Sequence, residues 1–374
     1  MADASLLSAT PTAEERISVA SNWRLVWWRF RTHRLAMASA LLLLVLYAVV
    51  LCPEFWSTQD PEATDARLAF IPVQRIRLFD GGALRPWVPA VTGARNPVTR
   101  RMEWRLDESR KIPVHFFVAG HPYRLFGLVP MRVHLLGTEP ETAARVHLLG
   151  TDRLGRDQWS RLAYGTRTSM TVGLTAVALS IVLGVLLGGI SGYVGGLVDL
   201  VIQRVIELLQ SLPTIPIWLA LTAALPRDWT PIQVFFAITV ILSLVGWTTL
   251  GREVRGRFLA LREEDYVLAA ELAGASRRRI IGRHMVPNFL SHIIATSTLA
   301  IPTMIINETA LSFLGLGIRP PAISWGVLLQ EAQNIQTLAL APWLLIPGAV
   351  VIISVLAFNL VGDGLRDAAD PYSH

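Results

Sequence analysis

The sequence predicts an all-α polytopic membrane protein with about six transmembrane helices and a small mixed or β extracytoplasmic lobe between the first two. Of its 374 residues, 52% are hydrophobic and only 17% are charged, and the mean hydropathy is +0.45. Soluble domains carry more charge than this. Apolar runs of roughly 20 residues, the length that crosses the hydrocarbon core, recur along the chain. Arginines cluster beside these runs, so lipid headgroups and not nucleic acid are the expected anionic neighbours, despite a net charge of +6.

The chain is predicted to begin with a cytoplasmic segment, 1–34, followed by a transmembrane helix, 35–52. The run from Leu35 to Cys52 has 18 residues and no charge, which is long enough to span the bilayer. By the positive-inside rule, four arginines hold the preceding segment in the cytoplasm: Arg24, Arg29, Arg31 and Arg34. A cleaved signal peptide is the alternative, but the long polar lead and the lack of a small-x-small cleavage site argue against it.

The next segment, 53–146, is predicted to be an aqueous lobe. It is rich in proline, glycine and charge, and none of its apolar runs approaches about 20 residues. Short apolar runs at 113–118 and 123–129 are typical of strands. The sequence RVHLLGT occurs at 132–138 and again at 145–151, which indicates either two similar extended segments or a chance repeat.

The rest of the chain, 147–374, is predicted to hold five further transmembrane helices. Their approximate bounds are 168–192, 198–224, 231–250, 288–312 and 341–361. Six crossings return the C-terminus to the cytoplasm and place the lobe outside. They also place the loop 251–287 inside, where its eight arginines against five acids satisfy the charge rule. Four arginines on the outer side, near the second helix, run against that rule: Arg153, Arg156, Arg161 and Arg167.

Gly184, Gly188 and Gly192 recur at every fourth residue and so share one face of the second predicted helix. Such a stripe lets another helix approach closely. Packing within this chain and packing against another subunit are both compatible with it.

Candidates for a translocation path lie in the third and fifth predicted helices. Pro213 and Pro216 interrupt an apolar stretch, as in the broken helices that line water-filled cavities, although proline is common in transmembrane helices generally. Glu308, beside Asn307, lies at membrane depth, where an ionisable group is costly unless it is paired or faces water.

The sequence predicts no catalytic residues, no metal site and no bound cofactor. The single cysteine, Cys52, excludes a multi-cysteine site, and the histidines are too scattered to form a convincing ligand set. The only lysine, Lys111, lies outside any Gly-Lys-Ser/Thr sequence, so the chain has no Walker A loop for ATP.

Residues 263–286 are predicted to form a helix, a glycine turn and a second short helix. Acidic residues begin the first helix, and Gly274 ends it with a left-handed backbone conformation. Pro287 suits the first turn of the next membrane helix. A pair of helices that projects from the membrane can dock on a partner, or it can be a solvated connector.

This loop resembles the EAA loop of ABC-importer permeases. Ala269 and Ala270 are followed after three residues by Gly274, and Val286-Pro287 comes later. Leu268 stands where the pattern has Glu, and Val286 stands where it has Leu. Three further segments are similar to the dipeptide and oligopeptide branch of that family: HLLGTDRLGRDQWSRLAYGTRTS (147–169), INETALSFLGLGIRPPAISWG (306–326) and FNLVGDGLRDAADP (358–371). The resemblance covers 1–52 and 147–374 and leaves out the lobe.

The resemblance implies the type I ABC importer fold and a C-type permease subunit of the inner membrane, with both termini cytoplasmic. It implies three kinds of partner besides the bilayer: a second homologous permease, two ATPases that bind ATP and Mg²⁺, and an extracytoplasmic solute-binding protein. This chain then carries no enzymatic activity of its own. The implied ATPase-coupling residues are Ala269, Ala270, Glu271, Gly274, Ala275, Arg278 and Pro287. A membrane-anchored receptor or assembly protein that acts through its external lobe is the alternative.

Overall fold

The computed structural model describes residues 22–98, 102–139, 145–226 and 228–369. Most of the predicted N-terminal segment, 1–21, and the end of the chain, 370–374, lie outside these ranges. The described residues form a helical membrane domain with a small β lobe inserted after the first long helix. This is the predicted fold class.

The helices are numbered in chain order. Before the loop they are α1 (Asn22–Thr32), α2 (Arg34–Leu51), α3 (Pro53–Trp56), α4 (Gln158–Val194), α5 (Gly196–Ser211), α6 (Thr214–Ala223) and α7 (Pro231–Leu261). The others are α8 (Asp265–Leu272), α9 (Arg277–Arg279), α10 (Leu290–Phe313), α11 (Trp325–Glu331), α12 (Ile335–Leu340) and α13 (Ile346–Ala369). A π-helix, Ile280–Met285, and a 3-10 turn, Val286–Phe289, join α9 to α10, and further 3-10 turns lie at Ala66–Leu68 and Pro342–Leu345.

Four helical segments among the described residues are long and apolar enough to cross a membrane. They are α2, α4, α7 and Pro342–Ala368, which includes nearly all of α13. The number rises to as many as six if each of two bent pairs is one span. In those pairs α5 and α6 meet at 90°, and Arg277–Phe289 meets His292–Phe313 at 71°.

The third predicted span, 198–224, is not one straight helix. Helix α5 ends at Ser211, and α6 starts at Thr214 in a new direction. The break has a local cause, because Pro213 has no backbone N–H and disfavours a helical conformation at the residue before it.

Helices α4 and α7 are both longer than the spans predicted at 168–192 and 231–250. Asp157 starts α4 early, because its side chain accepts a hydrogen bond from the backbone N–H of Ser160 at 2.8 Å. The prediction from hydropathy started this helix only at 168, because the residues between Asp157 and 168 are largely polar. Helix α7 continues to Leu261, so the start of the predicted loop 251–287 is helical.

The lobe consists of two antiparallel sheets. β1 (Arg77–Asp80), β2 (Ala83–Arg95) and β3 (Met102–Pro113) form one, and β4 (His115–Leu125) and β5 (Val129–Gly137) form the other. The strand predicted at 123–129 is wrong at its centre. Phe126 and Gly127 have φ of +52° and +73° and form the turn between β4 and β5.

The two RVHLLGT copies are not equivalent strands. Most of the first copy lies in β5, whereas the second is an irregular segment that contains a turn. Both copies nevertheless bury their histidine. His134 lies 2.8 Å from the carbonyl oxygen of Glu54, and His147 Nδ1 lies 3.2 Å from Asp157 Oδ1.

Helix α4 is the centre of the membrane domain and packs against α2, α7 and α10. On one side Val172 joins Ile238 and Leu242 of α7 in an apolar core. On another, Met170 and Ile305 join a core that reaches α2 and α13. At one end of the domain, Phe30 and Ala36 pack against Ala368, which brings α1 and the end of α13 together.

Candidate functional site

A cleft of about 670 Å³ opens between α4, α5, α6, α7 and α10. Its walls combine apolar side chains with hydroxyl and amide groups, and none of its lining residues is charged. The polar lining residues are Ser180, Gln210, Thr214, Thr248, Thr249, Thr296, Ser297, Thr303 and Asn307. The cleft is therefore suited to a polar solute that crosses an otherwise apolar domain.

Three polar atoms of cleft-lining residues are buried without a hydrogen-bond partner among the described residues. They are the hydroxyls of Ser180 and Ser297 and the indole N–H of Trp218. Leaving such a group unpaired costs about 1 to 3 kcal/mol, so each is a place where water or a solute is expected to bind.

Of the two neighbouring path candidates in α10, only Asn307 lines the cleft. Glu308 is fully buried inside the domain, where its carboxylate accepts hydrogen bonds from Ser169 and Ser312, each at 2.7 Å. Ser169 Oγ also accepts the backbone N–H of Trp325 at 3.1 Å. Glu308 therefore ties α10 to α4 and α11 and does not face the cleft.

The two predicted path prolines shape the cleft without lining it. Pro213 is the N-cap of α6, and Pro216 lies in its first turn. The residue between them that lines the cleft is Thr214. The break between α5 and α6 thus turns backbone and a hydroxyl toward the cavity, as expected for an interrupted helix in a membrane.

The glycine stripe of α4 packs within this chain, against α7. A Cβ at Gly188 would overlap the carbonyl oxygen of Gly251, and one at Gly192 would lie 2.7 Å from the carbonyl oxygen of Arg255. At Gly184 it would lie 3.1 Å from the Leu250 side chain. Of the two interpretations left open by the sequence, close intrachain packing is the one that the structure supports.

The predicted docking loop has an inner and an outer face. Val267 is fully buried, and Ala270 packs against the same apolar cluster, which is built on α7 and the π-helix. Ala269 is exposed, and Leu272 is 91% exposed. The outward face of α8 is therefore formed by Leu268, Ala269, Leu272 and Ala273. Ala270, one of the implied ATPase-coupling residues, packs toward the core instead.

The turn after α8 has the predicted geometry. Gly274 has φ +76°, which is the left-handed region, and the backbone N–H of Ala275 donates to the carbonyl of Ala270 at 3.0 Å. Arg278 is exposed in the short helix α9. Pro287 lies in the 3-10 turn just before α10, slightly upstream of its expected place in the first turn of that helix.

A hydrogen bond joins the loop to the end of α4. The Tyr193 hydroxyl donates to Glu271 Oε1 at 2.5 Å, and the Tyr193 ring belongs to the apolar cluster that contains Val267. Two glycines with positive φ follow: Gly195 separates α4 from α5, and Gly196 is the first residue of α5. Tyr193 thus connects α8 to the helix at the centre of the domain.

Ion pairs account for three of the four arginines that conflicted with the charge rule, and of these three Arg161 is fully buried. Arg167 binds Glu54 through two hydrogen bonds of 2.6 and 2.7 Å. Arg156 and Arg161 both contact Asp152 and Glu331. These arginines are held by carboxylates of the same side of the domain, so they carry little orientation signal.

Several functional features have weak or no sequence signals. Ser180, Trp218 and Ser297 are ordinary residues of apolar helices, and only the packing of several helices brings them to one cleft. Leu272 could have been found, because it lies five residues after buried Val267 and thus on the other side of the helix. Among the described residues, no group of three or more His, Cys, Asp or Glu side chains could hold a metal ion.

Comparisons with known proteins agree on one class. The family model described as the binding-protein-dependent transport system inner membrane component matches residues 168–372. The model for the N-terminal TM domain of oligopeptide transport permease C matches residues 21–72. Neither model covers 73–167, which contains all five strands of the lobe.

Two relatives are the oligopeptide transport system permease protein OppC of Bacillus subtilis and that of Salmonella typhimurium. The first is 38% identical over 223 residues, which are 59% of this chain and 70% of the relative. The second is 41% identical over 223 residues, with 59% and 71% covered. An inward-facing structure of the MetNI methionine ABC transporter is 16% identical, with a TM-score of 0.42, and covers 55% of this chain and 95% of that one.

Proposed function

This chain belongs to the family of binding-protein-dependent transport system inner membrane components, and from that premise we propose that it is the C-type permease subunit of an ATP-driven importer of peptides. The N-terminal match and the names of its relatives support peptides as the solute.

The observation that carries the proposal is the uncharged polar cleft with its three unpartnered buried groups. Every peptide presents backbone N–H and C=O groups, whatever its side chains. Hydroxyl, amide and indole groups can hydrogen-bond to these, and an uncharged wall discriminates little between acidic and basic side chains. A path for peptides of varied sequence needs both hydrogen-bonding groups and an uncharged wall.

A second, homologous permease would complete the path. Helices α5 and α6, which both contribute to the walls of the cleft, expose large apolar residues, among them Leu197 (80% exposed) and Ile215 (56% exposed). Side chains of this kind suit either lipid or a partner helix, and in this family two permeases enclose one path. An external solute-binding protein would deliver the peptide.

Of the two ATPase subunits, one would dock on the outward face of α8 and the other on the corresponding loop of the second permease. This face carries two large apolar side chains beside its alanines, Leu268 (44% exposed) and Leu272 (91% exposed), and the more exposed Leu272 has the form of an anchor that enters a groove. ATP and Mg²⁺ would bind in those subunits, and this chain would bind no cofactor and catalyse no reaction. Its part would be to couple hydrolysis to alternating access of the cleft.

The orientation follows from the loop and the termini. Eight arginines in 251–287 favour the cytoplasmic side, where ATP is found. The contact of Phe30 and Ala36 with Ala368 requires α2 to start on the side where α13 ends. An even number of crossings satisfies this, so both ends of the described chain would lie in the cytoplasm and the lobe outside.

The experiment replaces Leu272 with Asp and coexpresses the variant with the full set of partner subunits. We expect the two permeases to copurify normally while the ATPases are lost, since a carboxylate on the anchor would be desolvated in the groove. Leu154→Asp is the matched control, because Leu154 is 39% exposed on the lobe side and should not affect ATPase binding. Normal recovery of the ATPases with Leu272→Asp would overturn the proposal.

A further inference from the structure

A second pocket, of about 460 Å³, lies between the lobe and the membrane domain. Its walls come from the chain just after α3, from β4, from the lobe-side end of α4 and from the loop before α11. We call it the outer pocket. Its volume is within the range of sites for small molecules, and it would hold a short peptide.

Charged side chains of both signs line the outer pocket. Asp60, Glu62 and Arg124 are among its lining residues, and none of the three forms an ion pair with a described residue. Glu54 also lines it, but its carboxylate is already bound by both terminal nitrogens of Arg167. Asp60 Oδ1 accepts the backbone N–H of Glu62 at 3.0 Å, so the other oxygen of Asp60, the Glu62 carboxylate and the Arg124 guanidinium remain available to a ligand.

The outer pocket also contains a histidine without partners. Both ring nitrogens of His121 are buried, and neither has a hydrogen-bond partner among the described residues. Burial, with a smaller contribution from neighbouring His134 and against the opposing charge of Asp60, lowers the pKa of His121 to about 4, so the imidazole is neutral at ordinary pH. A neutral imidazole offers one donor and one acceptor, and a ligand or water is needed to satisfy them.

Three prolines and an isoleucine form a stiff apolar part of the walls, beside Tyr123, Tyr164 and Thr168. Pro61, Pro122 and Pro321 line the pocket together with Ile323. Proline fixes its own backbone conformation, so these walls keep their shape without a ligand. Apolar walls with a few polar groups of opposite charge suit a small zwitterion that also has an uncharged middle part.

We propose that the outer pocket binds a short peptide with free termini, with Asp60 and Glu62 on its ammonium group, Arg124 on its carboxylate and His121 on an intervening amide. This inference rests on the proposed import of peptides and adds a binding site on the lobe side, separate from the central cleft. Carboxylates bind ammonium through charge-assisted hydrogen bonds, and arginine binds carboxylates through two parallel ones. Pairing of opposite charges fixes the direction of the bound peptide.

The test measures binding of radiolabelled trialanine, by equilibrium dialysis, to the intact permease and ATPase complex in nanodiscs, without the solute-binding protein. N-acetyl-trialanine and trialanine amide each lack one terminal charge. We expect both to bind at least about fivefold more weakly than trialanine, as for the loss of one partly exposed ion pair. The Asp60→Asn, Glu62→Gln double variant should abolish the preference for the free amino terminus, and Arg124→Gln the preference for the free carboxylate. Glu139→Gln, an exposed lobe carboxylate outside the pocket, is the control and should keep both preferences.

Equal binding of the three peptides by the unmodified complex would overturn the proposal, as would preferences that survive in the pocket variants. Binding that is insensitive to all variants would assign the peptide to the central cleft only and would also contradict the outer pocket. Failure of the underlying function is recognised separately, in the same nanodiscs, by ATP hydrolysis that does not respond to peptide-loaded binding protein. A complex that hydrolyses ATP normally but shows no preference refutes the outer pocket alone.

Discussion

Asn307 and Glu308 are neighbours in the chain but belong to different surfaces of α10. The amide of Asn307 lines the cleft, whereas the carboxylate of Glu308 is fully buried between Ser169 and Ser312. Polar residues at membrane depth therefore have two places in this protein: one lines the cleft, and the other holds helices together.

Substituting these two residues should separate transport from stability. We expect Glu308→Ala to lower the stability by about 3 kcal/mol, because it leaves a cavity and two serine hydroxyls without their acceptor. Asn307→Ala should leave the melting temperature in nanodiscs unchanged and alter the rate of peptide uptake. A Glu308→Ala protein with a normal melting temperature would show that the buried hydrogen bonds are not structural.

The glycines of α4 yield a second prediction at this scale. Gly188→Ala would force the added methyl against the backbone of Gly251, and separating the helices should cost about 1 to 3 kcal/mol. Gly256→Ala in α7 is the matched control, since a Cβ there meets nothing within 4 Å, and removing a helical glycine should gain up to about 1 kcal/mol. Melting temperatures that shift equally in the two variants would argue against close contact of α4 and α7.

At the scale of elements, α8 is connected to the domain in two ways. Its inner face packs into the apolar cluster through Val267, and Glu271 accepts the hydrogen bond of Tyr193. A force on the outer face, at Leu272, would therefore reach the end of α4 directly. Since α4 also forms a wall of the cleft, this contact connects the loop with the cleft.

Removing the Tyr193 hydroxyl should weaken that connection without loss of ATPase binding. We expect Tyr193→Phe to lower ATP hydrolysis stimulated by loaded binding protein about threefold, the value of a partly solvated hydrogen bond. Glu271→Gln should act similarly, and the double variant should be no worse than either single one, because both remove the same interaction. Full additivity of the two effects would mean that the residues act independently.

The sequence predicts the elements of this protein better than their bends and contacts. Hydropathy located the apolar helices, and Gly274 located the turn of the loop, because both signals are local. Pro213 indicated a break, but not that α5 and α6 meet at 90°. The position of α7 decides which small residue of 269–275 faces outward, and the sequence does not give that position. Hydropathy likewise cannot show that Arg161 and Arg167 pair with carboxylates far away in the chain. Pairing across the chain is the information that a single sequence lacks.

At the scale of the whole molecule, the cleft, the loop and the lobe are joined through α4. The first turn of α4 carries Arg161, which pairs with Asp152 on the lobe side. The middle of the helix carries Ser180 of the cleft, and its last turn carries Tyr193, which contacts α8. One helix thus reaches from the lobe side of the domain to the side where the loop 251–287 lies. Such a helix could move as a unit, as the proposed alternating-access cycle would require.

Uptake by proteoliposomes is the measurement that tests this account most directly. The complete complex is reconstituted with ATP inside and peptide-loaded binding protein outside, and accumulation of radiolabelled trialanine is followed over time. We predict accumulation that requires ATP, that is lost with Leu272→Asp in the assembled permease pair, and that persists with Leu154→Asp. Accumulation without ATP, or at the unmodified rate with Leu272→Asp, would contradict the claim that this chain is a peptide permease driven through the outward face of α8.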